Sequence, residues 1–224
     1  MEEDVSNSDP QPLMIDVISD VVCPWCWIGK RRLEEALAQR SEADGAPVIN
    51  WHPFELNPDI PPGGLDRRSY LEQKFGGPER AKQIYARVEA AGKEVGIPFD
   101  FERIVRQPNT RDAHRLIAWA QATNPLLAPA LVEGLFRAYF IDGVDIGDLE
   151  SLARLAGEAG LDAAAAASCL QSDGERAAVA AAEEHARRLG VSGVPFFIFN
   201  QRLAVSGAQP PEVLLDAIGQ ALDK

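Results

Sequence analysis

Three features of the sequence predict an α/β fold, in which a four-stranded mixed sheet flanked by helices is split by an all-helical insertion. The first is Leu13 to Ile18, a short and almost unbroken apolar run bounded by Pro12 and Ser19-Asp20, the mark of a strand buried on both faces. The second is the stretch from residue 58 to residue 173, where helical patterns follow one another and no strand pattern intervenes. The third is the chain's ending: Gly193 to Phe199 reads as a strand opened by proline, Asn200-Gln201 as a turn, Leu203 to Val205 as a further strand and Pro210 to about Leu222 as a helix.

Residues 1–12 are acidic and polar and are expected to form a disordered tail. They contain no apolar h-region, so an export signal is not expected and the reading is of a cytoplasmic protein. After the first strand, Trp27 to Arg40 has helical spacing, and the polar stretch Ser41 to Ala46 leads to a second strand over residues 47–54, marked by Val48, Ile49, Trp51 and Phe54. This βαβ unit should hold a parallel pair with a right-handed crossover. Pro58, Pro61, Pro62, Gly63 and Gly64 then make a loop. Apolar residues spaced by three and four predict helices over Ser69–Phe75, Pro78–Val95, Thr110–Ala122, Pro129–Phe140 and Asp148–Ala159. The alanine run 163–167 fits a short amphipathic helix, and Glu175–Leu189 a further one ended by Gly190. The expected division is a sheet domain of residues 13–57 and 174–224, with residues 58–173 inserted as a helical domain.

The net charge of −12, from 34 acidic and 22 basic side chains, argues against nucleic acid and anionic membrane surfaces as partners. No apolar run approaches the roughly 18 residues of a membrane span. Three cysteines are too few for a disulfide scaffold, so cysteine is present for its reactivity.

That reactivity is concentrated in Cys23-Pro24-Trp25-Cys26, at the junction of the first strand and the first helix. A disulfide needs its Cα atoms within about 7 Å, which one helical turn provides. Pro24 suits the first helical position, which leaves Cys23 as N-cap. There its sulfur is expected to accept from the N–H groups of Trp25 and Cys26 and to feel the positive end of the helix dipole, the setting in which thiols ionise readily. Cys23 is therefore the expected nucleophile, and Cys26, expected to be the more buried, the resolving thiol. Zinc is the competing use of a CxxC, yet Cys169, His52, His114 and His185 supply neither a second CxxC nor a paired histidine spacing, so no metal is expected. A purely structural staple would close only a short loop and gain little.

Val194-Pro195 opens the third strand. Base rates favour a trans bond, but in this strand order the proline would lie across from the dithiol, and a cis bond there would free the backbone of Val194 to pair with an extended substrate.

Several segments are similar to one known family. They are Asp20-Val21-Val22-Cys23-Pro24-Trp25-Cys26-Trp27-Ile28-Gly29, His52-Pro53-Phe54-Glu55-Leu56-Asn57-Pro58, Asn109-Thr110-Arg111-Asp112-Ala113-His114-Arg115, Gly193-Val194-Pro195-Phe196-Phe197 and Ser206-Gly207-Ala208-Gln209-Pro210-Pro211. Over nearly the whole chain after residue 12, the sequence resembles the DsbA-like branch of the thioredoxin superfamily. Within it the chain resembles the FrnE-like subgroup, related to 2-hydroxychromene-2-carboxylate isomerases and kappa-class glutathione transferases. The resemblance implies a thioredoxin fold with a helical insertion, a cis Val194-Pro195 bond, and disulfide oxidoreductase or isomerase activity with no tightly bound cofactor. It also supplies the alternative of a glutathione-dependent isomerase or transferase. In those relatives a serine stands at the position of Cys23, and an Asp in the loop matching Ala208-Gln209 helps hold glutathione. Here the serine is a cysteine, Cys26 is present and the acidic anchor is missing, which favours dithiol chemistry and leaves glutathione as a co-substrate.

The remaining candidates carry plainer readings beside the functional ones. His52 and His114 stand either at the cleft, where an imidazolium would stabilise a thiolate, or as packing histidines. Asp20 would raise the Cys23 pKa by its charge, and reads as tuning or as loop structure. Trp25 is expected at the mouth as a substrate contact, with Trp27 turned inward. Asn109 is most simply a helix N-cap, with a substrate-facing role as the alternative. Cys169 reads as a small buried hydrophobe, and Lys30, Arg31 and Arg32 as a solvated helix face. The expected function is a thiol-disulfide oxidoreductase acting on protein or small-molecule disulfides, as monomer or homodimer, with a non-catalytic redox sensor or chaperone as a further alternative.

Overall fold

The computed structural model of the chain describes residues 12–41 and 44–223. The expected tail lies outside the described residues except for Pro12. The chain runs β1 (Met14–Ser19), α1 (Pro24–Ala38), β2 (Val48–Pro53), β3 (Leu65–Asp66), α2 (Arg67–Phe75), α3 (Pro78–Glu94), β4 (Arg106–Gln107) and α4 (Arg111–Thr123). It continues with α5 (Ala128–Phe140), α6 (Leu149–Glu158), α7 (Ala163–Gln171), α8 (Arg176–Arg188), β5 (Phe196–Phe199), β6 (Leu203–Ser206) and α9 (Pro211–Leu222). Four strands form one mixed sheet in the order β2-β1-β5-β6. β1 runs parallel to β2, with Ile18 beside His52, and antiparallel to β5, with Ile18 beside Phe196.

The β1–α1–β2 unit forms because the apolar run of β1 has no polar face to spare. Ile15, Val17 and Ile18 are all buried, so helices cover the sheet on both sides. The insertion is not strand-free as expected: β3 and β4 make a two-stranded antiparallel ladder pairing Leu65 with Gln107 and Asp66 with Arg106. Two residues per strand carry no readable alternation. Asp66 also caps α2, its carboxylate accepting from the Ser69 N–H at 2.9 Å.

Sheet and insertion share one continuous core. Ile15, Val17 and Phe197 of the sheet and Trp27 of α1 belong to the same buried cluster as Leu116 of α4, Phe136 and Phe140 of α5 and Leu152 of α6. Trp27 is turned inward, stacked on Phe136 and Phe140. The basic run beside it is no solvated face. Lys30 is buried and bonds Glu34 of its own helix and Glu133 of α5 at 2.7 Å, Arg31 also pairs with Glu133, and Arg32 donates to the Ala208 carbonyl at 2.6 Å. α1 therefore needs these charges because acidic groups and carbonyls of neighbouring elements meet it there. Among the described residues no helix is long and apolar enough to cross a membrane.

Candidate active site

The dithiol stands where β1 gives way to α1. Cys23 is the N-cap of α1 in extended backbone geometry, and Pro24 occupies the first turn, where its missing N–H costs nothing. The Cys23 N–H donates to the Asp20 carbonyl at 2.9 Å and the Cys26 N–H to the Cys23 carbonyl at 3.0 Å, which fixes both cysteines on one turn. Both thiols are free.

One expectation about the sulfurs needs correction. The Cys23 side chain makes no cap hydrogen bond to the helix N–H groups; its thiol instead donates to the Val194 carbonyl across the cleft, at a sulfur–oxygen distance of 3.7 Å. Cys26 is the more buried of the two, as expected, but at 2% against 6% for Cys23 exposure barely separates them. Access does: Cys23 lines a cavity of about 210 Å³ and Cys26 does not. Cys26 Sγ lies behind, accepting from the Asp20 N–H at 3.5 Å.

Burial pushes the Cys26 thiol well above its ordinary pKa, reinforced by the neighbouring Cys23 and the charge of Asp20. The folded state thus keeps the Cys26 proton at pH values where the unfolded chain has released it. The unfolded state then binds fewer protons, and stability falls as pH rises past the ordinary thiol range. Reduced protein is expected to lose more stability in that alkaline window than the disulfide form, in which Cys26 has no proton to lose and Cys169 is the thiol that remains; urea titrations of both forms at neutral and alkaline pH check this.

The Val194-Pro195 peptide is cis. Pro195 is buried, and its carbonyl accepts from the Gly207 N–H at 2.8 Å, tying it to the end of β6. Gly29 of α1 packs directly beneath it: a Cβ there would stand 2.8 Å from Pro195 Cγ and 3.1 Å from Phe197 Cζ. Both neighbours are ring atoms held in the core, so Gly29→Ala is expected to cost about 1–3 kcal/mol by overpacking, read as a lower urea midpoint at unchanged m.

Trp25 is 38% exposed and lines the Cys23 cavity. Asp20 is fully buried; its carboxylate accepts from the Leu56 N–H at 2.8 Å and from the Val22 N–H at 3.4 Å, so it organises the loop before Cys23 and the segment after β2. His114 Nε2 comes within 3.5 Å of Asp20 Oδ1 without hydrogen-bond geometry.

His52 and Asn109 are not brought to the dithiol cavity. His52 Nε2 bonds Asp16 at 2.9 Å, which holds the Asp16 carboxyl below its usual range. It lines a second, separate cavity with Phe196 and Ile198. Asn109 is not itself the N-cap of α4, a place taken by Thr110; its side chain accepts from the Arg111 N–H at 3.0 Å and donates to the Ile60 carbonyl at 2.7 Å. It borders a hollow with Pro58 and Arg111, away from the thiols. Cys169, half-buried on α7, lies outside the cavity as well. Among the described residues no group of three or more His, Cys, Asp and Glu is placed to hold a metal ion.

Sequence reasoning missed the wall opposite Cys23. Tyr70 and Lys74 of α2 and Tyr85 of α3 line the cavity together with Asn57. Lys74 Nζ donates to Asn57 Oδ1 at 3.0 Å and to the Tyr70 hydroxyl at 2.7 Å. Burial raises Tyr70 to about 12, so it stays a neutral phenol. Partial desolvation lowers the Lys74 pKa, while the negative charges of Asp20 and of a Cys23 thiolate act in the opposite sense. The Tyr70…Lys74 spacing of one helical turn was the only local signal.

Residues 14–219 match the model of the DSBA-like thioredoxin domain. A probable DsbA oxidoreductase from Streptomyces coelicolor is 33% identical, with a TM-score of 0.85 over 93% of this chain and 89% of that one. An uncharacterized Bacillus subtilis protein, YwbO, is 29% identical over 214 residues, or 94% of this chain and 98% of that protein. The cytosolic disulfide reductase DsbM from Pseudomonas aeruginosa, solved with GSH, shares the fold at 21% identity and a TM-score of 0.60, covering 93% of this chain and 95% of that one.

Proposed function

The chain belongs to the DSBA-like thioredoxin domain family, and from that premise we propose that it is a thiol-disulfide oxidoreductase working through Cys23 and Cys26. The observation that supports this most directly is the division of labour between two free thiols one turn apart, one opening onto a cavity and the other closed behind it.

The Cys23 thiolate attacks one sulfur of a substrate disulfide. A Cys23–substrate S–S bond forms, the substrate S–S bond breaks, and one substrate thiolate leaves. Cys26 then attacks Cys23 Sγ as its proton passes to the departing sulfur; the mixed disulfide breaks, the second substrate sulfur leaves as a thiol and the Cys23–Cys26 disulfide forms. The substrate gains the two electrons the dithiol gives up. Two equivalents of a small external thiol of the glutathione class return the enzyme to the dithiol in a cytoplasmic setting. No bound cofactor enters the cycle. Val194 acts as the backbone clamp: its carbonyl holds the resting Cys23 thiol and is released to the substrate once the sulfur ionises.

The test is turnover of a model disulfide with a small thiol as reductant, combined with mass determination of the enzyme quenched mid-cycle. The proposal requires a form lighter by two hydrogens with Cys23 and Cys26 joined. Turnover without any such form, or tight glutathione binding with no exchange, would overturn it in favour of glutathione-dependent chemistry.

A further inference from the structure

The cavity over Cys23 is small and walled on one side by the insertion. Cys23 is only 6% exposed and is reached through about 210 Å³, below the roughly 300–1,000 Å³ of sites that take drug-sized ligands. The walls facing Cys23 come from Tyr70 and Phe75 of α2 and Ile84 and Tyr85 of α3. α3 reaches the shared core through Val88 and Ala91, and α2 leans on α3 through the Phe75–Tyr85 ring contact, so a folded protein carrying its disulfide between two backbone segments meets these helices before its sulfur meets Cys23. The walls are mostly apolar and aromatic.

Lys74 is the exception. Its two side-chain partners, Asn57 and Tyr70, are neutral, and among the described residues no carboxylate pairs with it, in a chain that carries 34 acidic side chains. An ammonium has three donors, and these two bonds leave the third for a ligand. The ring of Tyr70, 5.2 Å from Nζ, steadies the cation at the edge of the cavity. A cation held by neutral groups at the cavity of a nucleophilic sulfur, with most of the remaining wall apolar or aromatic and only Asn57 and Gln107 as polar amides, is complementary to a small molecule with an apolar body and a negative end.

We infer that the disulfide this site favours is a small one bearing a carboxylate, seated against Tyr70 and Phe75 with its anionic end on Lys74 and one sulfur at Cys23, which makes Lys74 a specificity-determining residue. This rests on the dithiol reading above. The exchange steps are those already given; Lys74 takes no proton and forms no bond, and acts by placing the substrate. A carboxylate can belong to an aryl thiol or to a peptide thiol, so probes of both kinds are needed.

The experiment compares kcat/KM of wild type, Lys74→Gln and Lys74→Arg on dithiobis-nitrobenzoate and glutathione disulfide, both anionic, on neutral hydroxyethyl disulfide, on cationic cystamine, and on insulin as a protein disulfide. Wild type is expected to favour the anionic probes. Lys74→Gln should lower the ratio of anionic to neutral kcat/KM about tenfold, the scale of one hydrogen bond to a charged group, chiefly through KM, and Lys74→Arg should restore most of it. The aryl and peptide probes rank the two carboxylate sources. An unchanged ratio in Lys74→Gln, or insulin reduced as efficiently as the anionic probes, would overturn the inference. Failure of the dithiol reading looks different: Cys23→Ser would then keep its turnover on every probe.

Discussion

Replacing Cys23 by serine is expected to lower disulfide turnover by roughly three orders of magnitude or more, the scale on which loss of a covalent nucleophile acts. The hydroxyl does not ionise near neutral pH, so no mixed disulfide can begin. The fold should survive, because the thiol's polar contacts are the long donation to the Val194 carbonyl and the neighbouring Cys26 thiol, and no helix N–H depends on it. Cys26→Ser should behave differently. The first exchange still occurs, but nothing behind Cys23 can attack the mixed disulfide, which accumulates and turns over only as fast as external thiol reaches a sulfur that is 6% exposed. Intact mass under non-reducing conditions should show one substrate moiety on Cys26→Ser and none on Cys23→Ser. If Cys26→Ser instead keeps the wild-type rate, the site works as a monothiol and Cys26 has no resolving role.

The contrast between those two variants rests on features that differ in how far the sequence reveals them. That Cys23 caps a helix is a local matter of a proline after a short polar break, and the structure places it so. The sheet was equally legible: β1 announces itself as an apolar run, and β5 to α9 as a strand, turn, strand and helix. The cis Val194-Pro195 bond across from the dithiol is foreseen in the sequence, but other placements that need two distant segments in register are not. His52 stands in a strand whose side chains alternate between faces, and a shift of one residue decides which side it serves; with Trp51 buried, His52 falls beside Asp16 and the second cavity. Asn109 reads as the N-cap, one residue early, and its bond to Ile60, which fixes the proline-rich loop, is not legible. The Cys23 thiol turns from its own helix to Val194, a partner 171 residues along the chain. Lys74 carries no mark of its position at the Cys23 cavity, because that position depends on how α2 folds back against α3.

Trp27 shows what that shared core is worth, and Trp27→Ala is expected to cost about 3–5 kcal/mol of stability. The ring is 2% exposed and lies nearly parallel to Phe136 at 5.9 Å and to Phe140 at 6.1 Å, with Phe99 edge-on at 5.7 Å. Removing it takes away aromatic contact on three sides and leaves a void bordered by rings that belong to α5 and to the segment after α3. These have no room to collapse inward without moving α1. The indole N–H also donates to Glu133 at 3.3 Å, and Glu133 in turn bonds Lys30 and Arg31 of the same helix. The truncation therefore loosens both the apolar and the charged attachment of α1, the helix that holds Cys26, to the insertion that roofs Cys23. Urea unfolding should show a lower midpoint at unchanged m, since the same surface is still exposed on unfolding. Trp27→Phe separates the two attachments: it keeps most of the stacking and loses the donation to Glu133, so a loss of about 1–2 kcal/mol would assign the larger share to the rings. If Trp27→Ala costs less than about 1 kcal/mol, the insertion does not depend on this stack, and the cavity walls must be held over Cys23 by the β3–β4 ladder and the polar contacts of Arg67 with Gln107 and Tyr139 instead.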